Sequence, residues 1–600
     1  MNIGAKYQGD GKCSFAVWAP FSGDLALVII GAESRVIHSK KNDRGYWTFD
    51  VNDIFPGTKY FFRLEGSLER PDPASHSQPE GVHGPSQVVN HEYPWQDRSW
   101  RGVPLERMII YELHIGTFTE EGTFEAVIPR LDDLKDLGIN ALEIMPVGQF
   151  PGTRNWGYDV AYPFAVQNSY GGPDGFKRLI DECHVRGFAV ILDVVYNHFG
   201  PEGAYFADFG PYFAERHRTP WGKALNFDDT CSDAVREFFF ENALHWFREY
   251  HLDALRLDAV HAILDMGAKH FLRELAEKVS EFSEWDRKRY LIAESDLNDV
   301  RILDSRDRNG FGIDAQWCDD LHHALHALLT GERSGYYQDF GHVEDLVKAL
   351  REGFVYCWNF SKYRKRHHGS SSLGIPASKF IIFSQNHDQV GNRPLGERLS
   401  RLLSFEALKL AAGVTILSPY IPQIFMGEEY AEGAPFLYFV SYSDNALAEA
   451  VKEGRRSELT PLAEPSDPQD TSSFFLSKVR WQKRTTGRHK VMLDFYSMLI
   501  RLRKDIPALH NPNRNCQEVS SDGCIVFLKR WHGSSETICI MNFCQAESAF
   551  QLNPETEIWK KVIDSSEAIW DGPGSAMPDM IRQAEKFHIK PHTFLLYEKV

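Results

Sequence analysis

Met108-Ile109-Ile110-Tyr111-Glu112-Leu113-His114, then Phe124, Val127, Ile128, Leu131, Leu134 and Leu137, then Gly138, then Ala141-Leu142-Glu143-Ile144-Met145-Pro146, decide the fold of this chain. The first run reads as a strand. The six apolar residues recur at the spacing of one helix face, Gly138 stops that helix, and the last run is the next strand. Strand, helix, strand is the unit of a parallel sheet with crossover helices. Outward from it, residues 189–195, 254–258, 290–294, 314–317, 380–384 and 421–426 continue the alternation, the run at 314–317 being the weakest. Eight such strands favour a closed (β/α)8 TIM barrel, although a doubly wound open sheet shows the same alternation.

The flanks read differently. Residues 1–95 hold short β-type runs such as Ser14-Phe15-Ala16-Val17-Trp18, broken by Gly, Pro, Asn and Asp, and predict a β-sandwich. Residues 70–86, rich in Pro, Gly, Ser and His, predict an extended connection into the barrel, which spans 96–511. The charged, irregular stretch near 432–482 is expected to be an insertion after the eighth strand, and a helix at 495–504 to close the barrel. Residues 512–600 alternate again and predict a second, smaller β-domain.

Composition narrows the ligand. Lys+Arg 66 against Asp+Glu 83 gives a formal charge of −17, which repels nucleic acid and anionic membrane and accommodates a neutral polar ligand. Trp 14, Tyr 23 and Phe 41 exceed what a core needs and include platforms for sugar rings. Nine scattered cysteines and an amino terminus, Met1-Asn2-Ile3-Gly4-Ala5-Lys6, without a signal-peptide profile predict free thiols in a reducing cytoplasm. No run is long enough to span a bilayer.

Three carboxylates end strand-like runs: Asp258 in Leu255-Arg256-Leu257-Asp258-Ala259, Glu294 in Ile292-Ala293-Glu294-Ser295, and Asp388 in Gln385-Asn386-His387-Asp388. In parallel barrels the carboxyl ends of the strands collect the reacting groups. Cleaving an acetal takes a proton for the leaving oxygen and a carboxylate for the anomeric carbon, about 5 Å apart when configuration is retained. Asp258 and Glu294, on adjacent strands, suit that pair. Arg256, two residues before Asp258, shares its face and holds it ionised, leaving Glu294 the raised pKa of a general acid.

Asp193-Val194-Val195-Tyr196-Asn197-His198, the run from Leu255 to His261, Glu294 after its apolar strand and Asn386-His387-Asp388 resemble the four short motifs of the α-amylase superfamily of glycoside hydrolases and transferases. The resemblance implies that Asp258 is the nucleophile, Glu294 the general acid/base, and Asp388 a carboxylate that grips substrate hydroxyls and favours the distorted sugar. It implies that His198, Arg256 and His387 line the subsite of the attacked glucose, that Tyr158 stacks on that ring, and that Asp193 supports the site by hydrogen bonding. The sandwich, Asp314-Ala315-Gln316-Trp317-Cys318-Asp319-Asp320-Leu321-His322-His323, Leu329-Thr330-Gly331-Glu332 and the run from Asn386 to Asn392 extend the likeness to the malto-oligosyltrehalose trehalohydrolases. That implies malto-oligosyltrehalose or another α-glucan as substrate and a malto-oligosyltrehalose synthase as pathway partner. A glucan branching enzyme shares the sandwich, barrel and carboxylates and is the alternative; a non-catalytic glucan-binding barrel would lack the carboxylates.

Around these, the acidic pair Asp319-Asp320 and Trp317 are expected to help recognise the trehalose end, helix capping being the other role open to Asp320. Gln389, beside the third carboxylate, is expected to bind substrate. Glu428 is a further rim candidate, and Tyr196 and Trp221 are candidate stacking residues. His322, His323 and His326 invite a metal reading, but hydrolysis by two carboxyls needs no Lewis acid, so neither metal nor cofactor is expected.

Overall fold

The computed structural model describes residues 3–283, 287–459, 464–552, 557–582 and 585–600. Met1 and Asn2 of the amino-terminal reading, and Thr460 to Ala463 of the charged insertion, lie outside them. The barrel strands are Ile110–Leu113 (β1), Ala141–Ile144 (β2), Ala189–Val194 (β3), Ala254–Leu257 (β4), Tyr290–Ala293 (β5), Ala315–Trp317 (β6), Phe380–Ile382 (β7) and Ile421–Phe425 (β8). They pair in chain order, and β8 returns to β1 with Ile424 opposite Tyr111, closing the barrel. Every residue of the eight is buried, which is why they read as continuous apolar runs without alternation.

The first crossover refines its reading. Gly138 ends the helix in the left-handed region (φ +102°), but Pro129, which has no N–H to donate, divides the apolar face into helices at Phe124–Val127 and Leu131–Leu137 joined by a tighter turn. The charged stretch after β8 is more ordered than expected, because it carries the helix Asn445–Leu459. The closing helix runs longer, Gly487–Asp505.

Ahead of the barrel, strands Gly4–Gly9, Lys12–Trp18 and Tyr46–Asn52 form one antiparallel sheet. Leu25–Ile30, Arg35–His38, Lys59–Leu64, Leu68–Arg70 and Ser86–Gln87 form a second. After the barrel, a six-stranded sheet centred on Ser535–Asn542 and Phe594–Lys599 accompanies the pair Ser548–Leu552 and Glu585–Ile589. One expectation fails here: Cys524 and Cys544 are joined in a disulfide with Cα atoms 5.4 Å apart, while the other seven cysteines are free. The chain between them, folded as a hairpin across a sequence separation of 20, brings together two thiols that spacing alone does not pair. Among the described residues, no helix is long and apolar enough to cross a membrane.

Two buried arginines meet at the end of one barrel helix, and one of them, Arg530, binds it to the carboxyl-terminal sheet. The helix Phe405–Leu417 ends with carbonyls that have no partner of its own. Arg503, from the closing helix, donates to the Ile416 and Ser418 carbonyls, both at 2.7 Å. Arg530, from the strand Ile525–His532, donates to Leu417 and Ser418 at 3.1 Å, Leu509 at 2.8 Å and Asn511 at 2.8 Å. Arg530→Met takes this donor from the Leu417, Leu509 and Asn511 carbonyls, while Ser418 keeps Arg503. It should destabilise the protein by about 3 kcal/mol, read as a lower urea midpoint; an unchanged midpoint would show the contact to be idle.

Candidate active site

The register of three neighbouring strands builds the centre. Asp193 of β3 lies opposite Arg256 of β4, and Leu257 of β4 opposite Ala293 of β5. The pairing runs one step past the strands: Asp258 N donates to Val194 O and Glu294 N to Leu257 O, both at 3.0 Å. Residues two apart on a strand share a face, so Arg256 and Asp258 both point inward, and Glu294 stands level with Asp258. Strands lie about 4.8 Å apart, so this register places the two carboxyls near the separation of a retaining pair, about 5 Å.

Arg256 is completely buried, and three carboxylates surround it. Its Nη1 donates to both oxygens of Asp193 at 2.8 Å and to Asp258 Oδ1 at 3.0 Å, while Nη2 lies 3.4 Å from Glu294 Oε2. Burial opposes its charge, but Asp193, Glu294 and Asp258 outweigh that and hold it well above its ordinary range. Asn197 completes the seat of Asp258, donating to its backbone oxygen and to Oδ2, each at 2.8 Å.

Glu294 is pushed up from the usual carboxylate range by burial; Arg256 opposes that and Asp258 adds to it. The Ala259 N–H donates to its Oε2, leaving Oε1 to carry the proton. Ala259 adopts the left-handed region to do this (φ +39°), an unusual conformation for a residue with a Cβ.

On the far side, Asn386 caps the short helix His387–Gly391, accepting from Asp388 N at 2.9 Å. Asp388 thereby faces the mouth with its side chain 40% exposed, 3.5 Å from His387 Nε2. Burial works against a charge on His387, but Asp388 and Glu112 raise it to about 9, so it is an imidazolium at neutral pH. Tyr158 donates to Asp193 Oδ2 at 2.6 Å, and its hydroxyl lies 2.8 Å from His387 Nε2, with the two rings stacked. Gly157 makes this placement possible: its φ is +105°, and a Cβ there would lie 2.2 Å from the Pro146 oxygen. His198 bonds Asn197 and stacks on Trp221, which is 50% exposed, the rings 5.3 Å apart.

Several expected rim residues sit elsewhere. Trp317 is 1% exposed and lies under Arg256, whose guanidinium is 4.1 Å from its ring centre; it has no face left for a sugar. Asp320 is 3% exposed, neither a cap nor a rim group, and accepts from Val355 N at 2.6 Å, Tyr356 N at 3.0 Å and Asn298 Nδ2 at 2.7 Å. Its neighbour Asp319 turns to the centre instead. Burial, then Glu294 and Asp388, push Asp319 well above the carboxylate range. Gln389 spends its Oε1 on the Asn386 N–H at 3.0 Å and points Nε2 at Asp319, 3.4 Å away. Glu428 is buried, bonded to Ser384 and Tyr496, and Tyr196 is a core residue bonded to Asn242. His322 bonds the Ser384 carbonyl and Tyr337, His326 bonds Glu332, and His323 packs on Tyr336, so these three do not converge on one point.

Two contributors escaped the sequence reading, Asn197 as the seat of Asp258 and Glu112, whereas of the acidic pair expected to recognise the trehalose end only Asp319 turns inward. Glu112, in the middle of β1, bonds His387 through both its backbone N–H and Nδ1. A carboxylate inside an apolar strand was the available signal for it.

Comparison with known proteins adds the following. Residues 85–221 match the α-amylase catalytic-domain model. The malto-oligosyltrehalose trehalohydrolase of Saccharolobus solfataricus is 47% identical over 531 residues, 88% of this chain and 92% of that protein. That of Arthrobacter ramosus is 42% identical over 522 residues, 86% and 90% respectively. A crystal structure from Salmonella typhimurium, named there as an α-amylase candidate, aligns with a TM-score of 0.90 at 35% identity, covering 100% of this chain and 99% of that one.

Two outcomes follow from the geometry. Asn197→Ala takes from Asp258 a hydrogen bond to Oδ2 and should lower kcat by about 100-fold with little change in KM; wild-type kcat would sink the role. With Glu294 as the proton donor, its raised pKa means that kcat/KM should hold on the acid side and fall as pH rises through that pKa. With a glycosyl fluoride, whose leaving group needs no proton, that alkaline limb should vanish; if it persists, the limb belongs to another group.

Proposed function

The chain belongs to the malto-oligosyltrehalose trehalohydrolase family of the α-amylase superfamily, and from that premise we propose that it cuts the α-1,4-glucosidic bond next to the terminal trehalose of malto-oligosyltrehalose, with retention, releasing trehalose. One observation carries the mechanism: Asp258 and Glu294 stand level on neighbouring strands with a single guanidinium in reach of both.

The glucan occupies the side of the scissile bond next to Asp258, and trehalose the other. Asp258 attacks the anomeric carbon as Glu294 gives its proton to the departing O4 of trehalose. The glycosidic bond breaks, trehalose leaves as the alcohol, and the glucan remains as an ester on Asp258. Water then attacks the same carbon, Glu294 takes its proton, and the ester bond breaks, freeing Asp258 and the glucan in the α configuration. Asp388, exposed at the mouth, binds hydroxyls of the distorted ring, and the His387 imidazolium adds a donor beside it. Recognition of the trehalose end rests on Asp319 and Gln389, which meet on the far side of Glu294 from β4. The substrate's terminal 1,1-linkage must be made upstream, by the malto-oligosyltrehalose synthase the family implies. Seven free thiols favour a cytoplasmic setting, while the Cys524–Cys544 disulfide favours an oxidising one.

Incubation with malto-oligosyltrehalose beside a plain malto-oligosaccharide of equal length, followed by proton NMR, tests this. Trehalose should be the main product, the α-anomer should appear first, and the plain chain should react slowly. New α-1,6 branches would make the protein a branching enzyme, and a β-anomer would rule out the covalent intermediate.

A further inference from the structure

Three histidines that glycoside chemistry does not use meet where the sandwich joins the barrel. His76 and His91 lie in the connecting segment, and His245 on the helix Ser232–Glu249 between β3 and β4. Their ring centres are 4.9 Å (His76 to His91), 4.6 Å (His76 to His245) and 5.2 Å (His91 to His245) apart. Three imidazoles bound to one zinc at 2.0–2.1 Å set their ring centres about 5 Å apart.

The polar atoms point the same way. His76 Nδ1 and His91 Nε2 lie 2.9 Å apart, but among the described residues His91 Nδ1 and His245 Nε2 are buried without a partner, and His245 is 2% exposed. An unpaired polar atom in such a place costs stability unless something binds it. All three rings border one cavity of about 330 Å³, whose wall also includes Glu241, Arg248 and Glu249. Glu241 lies one helical turn before His245, on the same helix face, and supplies a carboxylate to that cavity.

We propose that His76, His91 and His245 form a zinc site that clamps the chain between the sandwich and the barrel onto the helix Ser232–Glu249. One nitrogen from each ring already lies within 4.8 Å of the others, and binding draws them to about 3.4 Å. His91, on a half-buried extended segment, makes most of that movement. Arg248 and Lys177 oppose the incoming dication, and Glu241 and Glu249 offset them.

The full-length protein, stripped with EDTA, is titrated with ZnCl2 by calorimetry at neutral pH, and with Co(II) by visible absorption. The wild type and the exposed-site control His588→Gln should each bind one equivalent, raise their melting temperature with zinc, and give the intense bands of four-coordinate Co(II). His91→Gln should weaken binding at least tenfold and lose both the bands and the melting shift. His245→Gln is the complementary variant, but its residue is buried, so His91→Gln decides the matter if that protein does not fold. No zinc uptake by the wild type, or equal uptake by wild type and His91→Gln, overturns the site.

Discussion

A guanidinium with no access to water must be surrounded by negative charge, and that requirement on Arg256 organises the centre of this molecule. Asp193 satisfies it from β3, Asp258 from the end of β4 and Glu294 from the end of β5, while Trp317 offers its ring from below. Removing any one carboxylate takes a partner from a buried charge, which is costly; keeping all three binds two potential reactants to a fixed separation. The arrangement is therefore a poor way to gain stability and a good way to hold geometry. Polarity continues downward: Glu143 lies opposite Glu112 in register, and burial and Glu112 together push it well above the carboxylate range.

This explains how two carboxyls of one chemical type take different parts. Asp258 has a charged donor and the Asn197 amide on its oxygens. Glu294 has a longer contact to Arg256, one backbone donor and an anionic neighbour. The difference comes from the strand ends, since β5 sets Glu294 level with Asp258 but one strand further from Asp193. Asp388, presented by a capped helix instead of a strand, is the most exposed of the three, as suits a group that meets substrate hydroxyls.

Much of this was legible in the chain. All eight barrel strands were placed to within a residue or two, because a strand buried on both faces is a continuous apolar run and little else in a sequence looks like one. Asp258 and Glu294 were legible because each directly follows such a run, and Asp388 because it follows the seventh run by a few residues, on a short helix. Side-chain direction beyond the strand ends was not. Whether Asp319 or Asp320 faces the centre depends on the phase of the helix Asp319–Thr330 against β6 and on the Val355 and Tyr356 N–H groups that claim Asp320 from a loop 35 residues away. Trp317, Tyr196 and Glu428 failed as rim residues for the same reason: aromatic and acidic residues near a strand end pack downward as readily as upward. The disulfide depended on a hairpin register that composition does not encode.

Barrel closure has a cost in time. The Tyr111 hydroxyl accepts from the Gly427 N–H across 316 residues, and β1 receives its β8 neighbour only when that part of the chain exists. At 5–20 residues per second, roughly 15 to 60 s of synthesis separate the two partners. Throughout that interval a growing sheet carries an unpaired edge at Ile110–Leu113, the kind of surface that recruits foreign strands. The nascent chain is thus most exposed to aggregation just before its last barrel strand leaves the ribosome, and demand for chaperones should concentrate there.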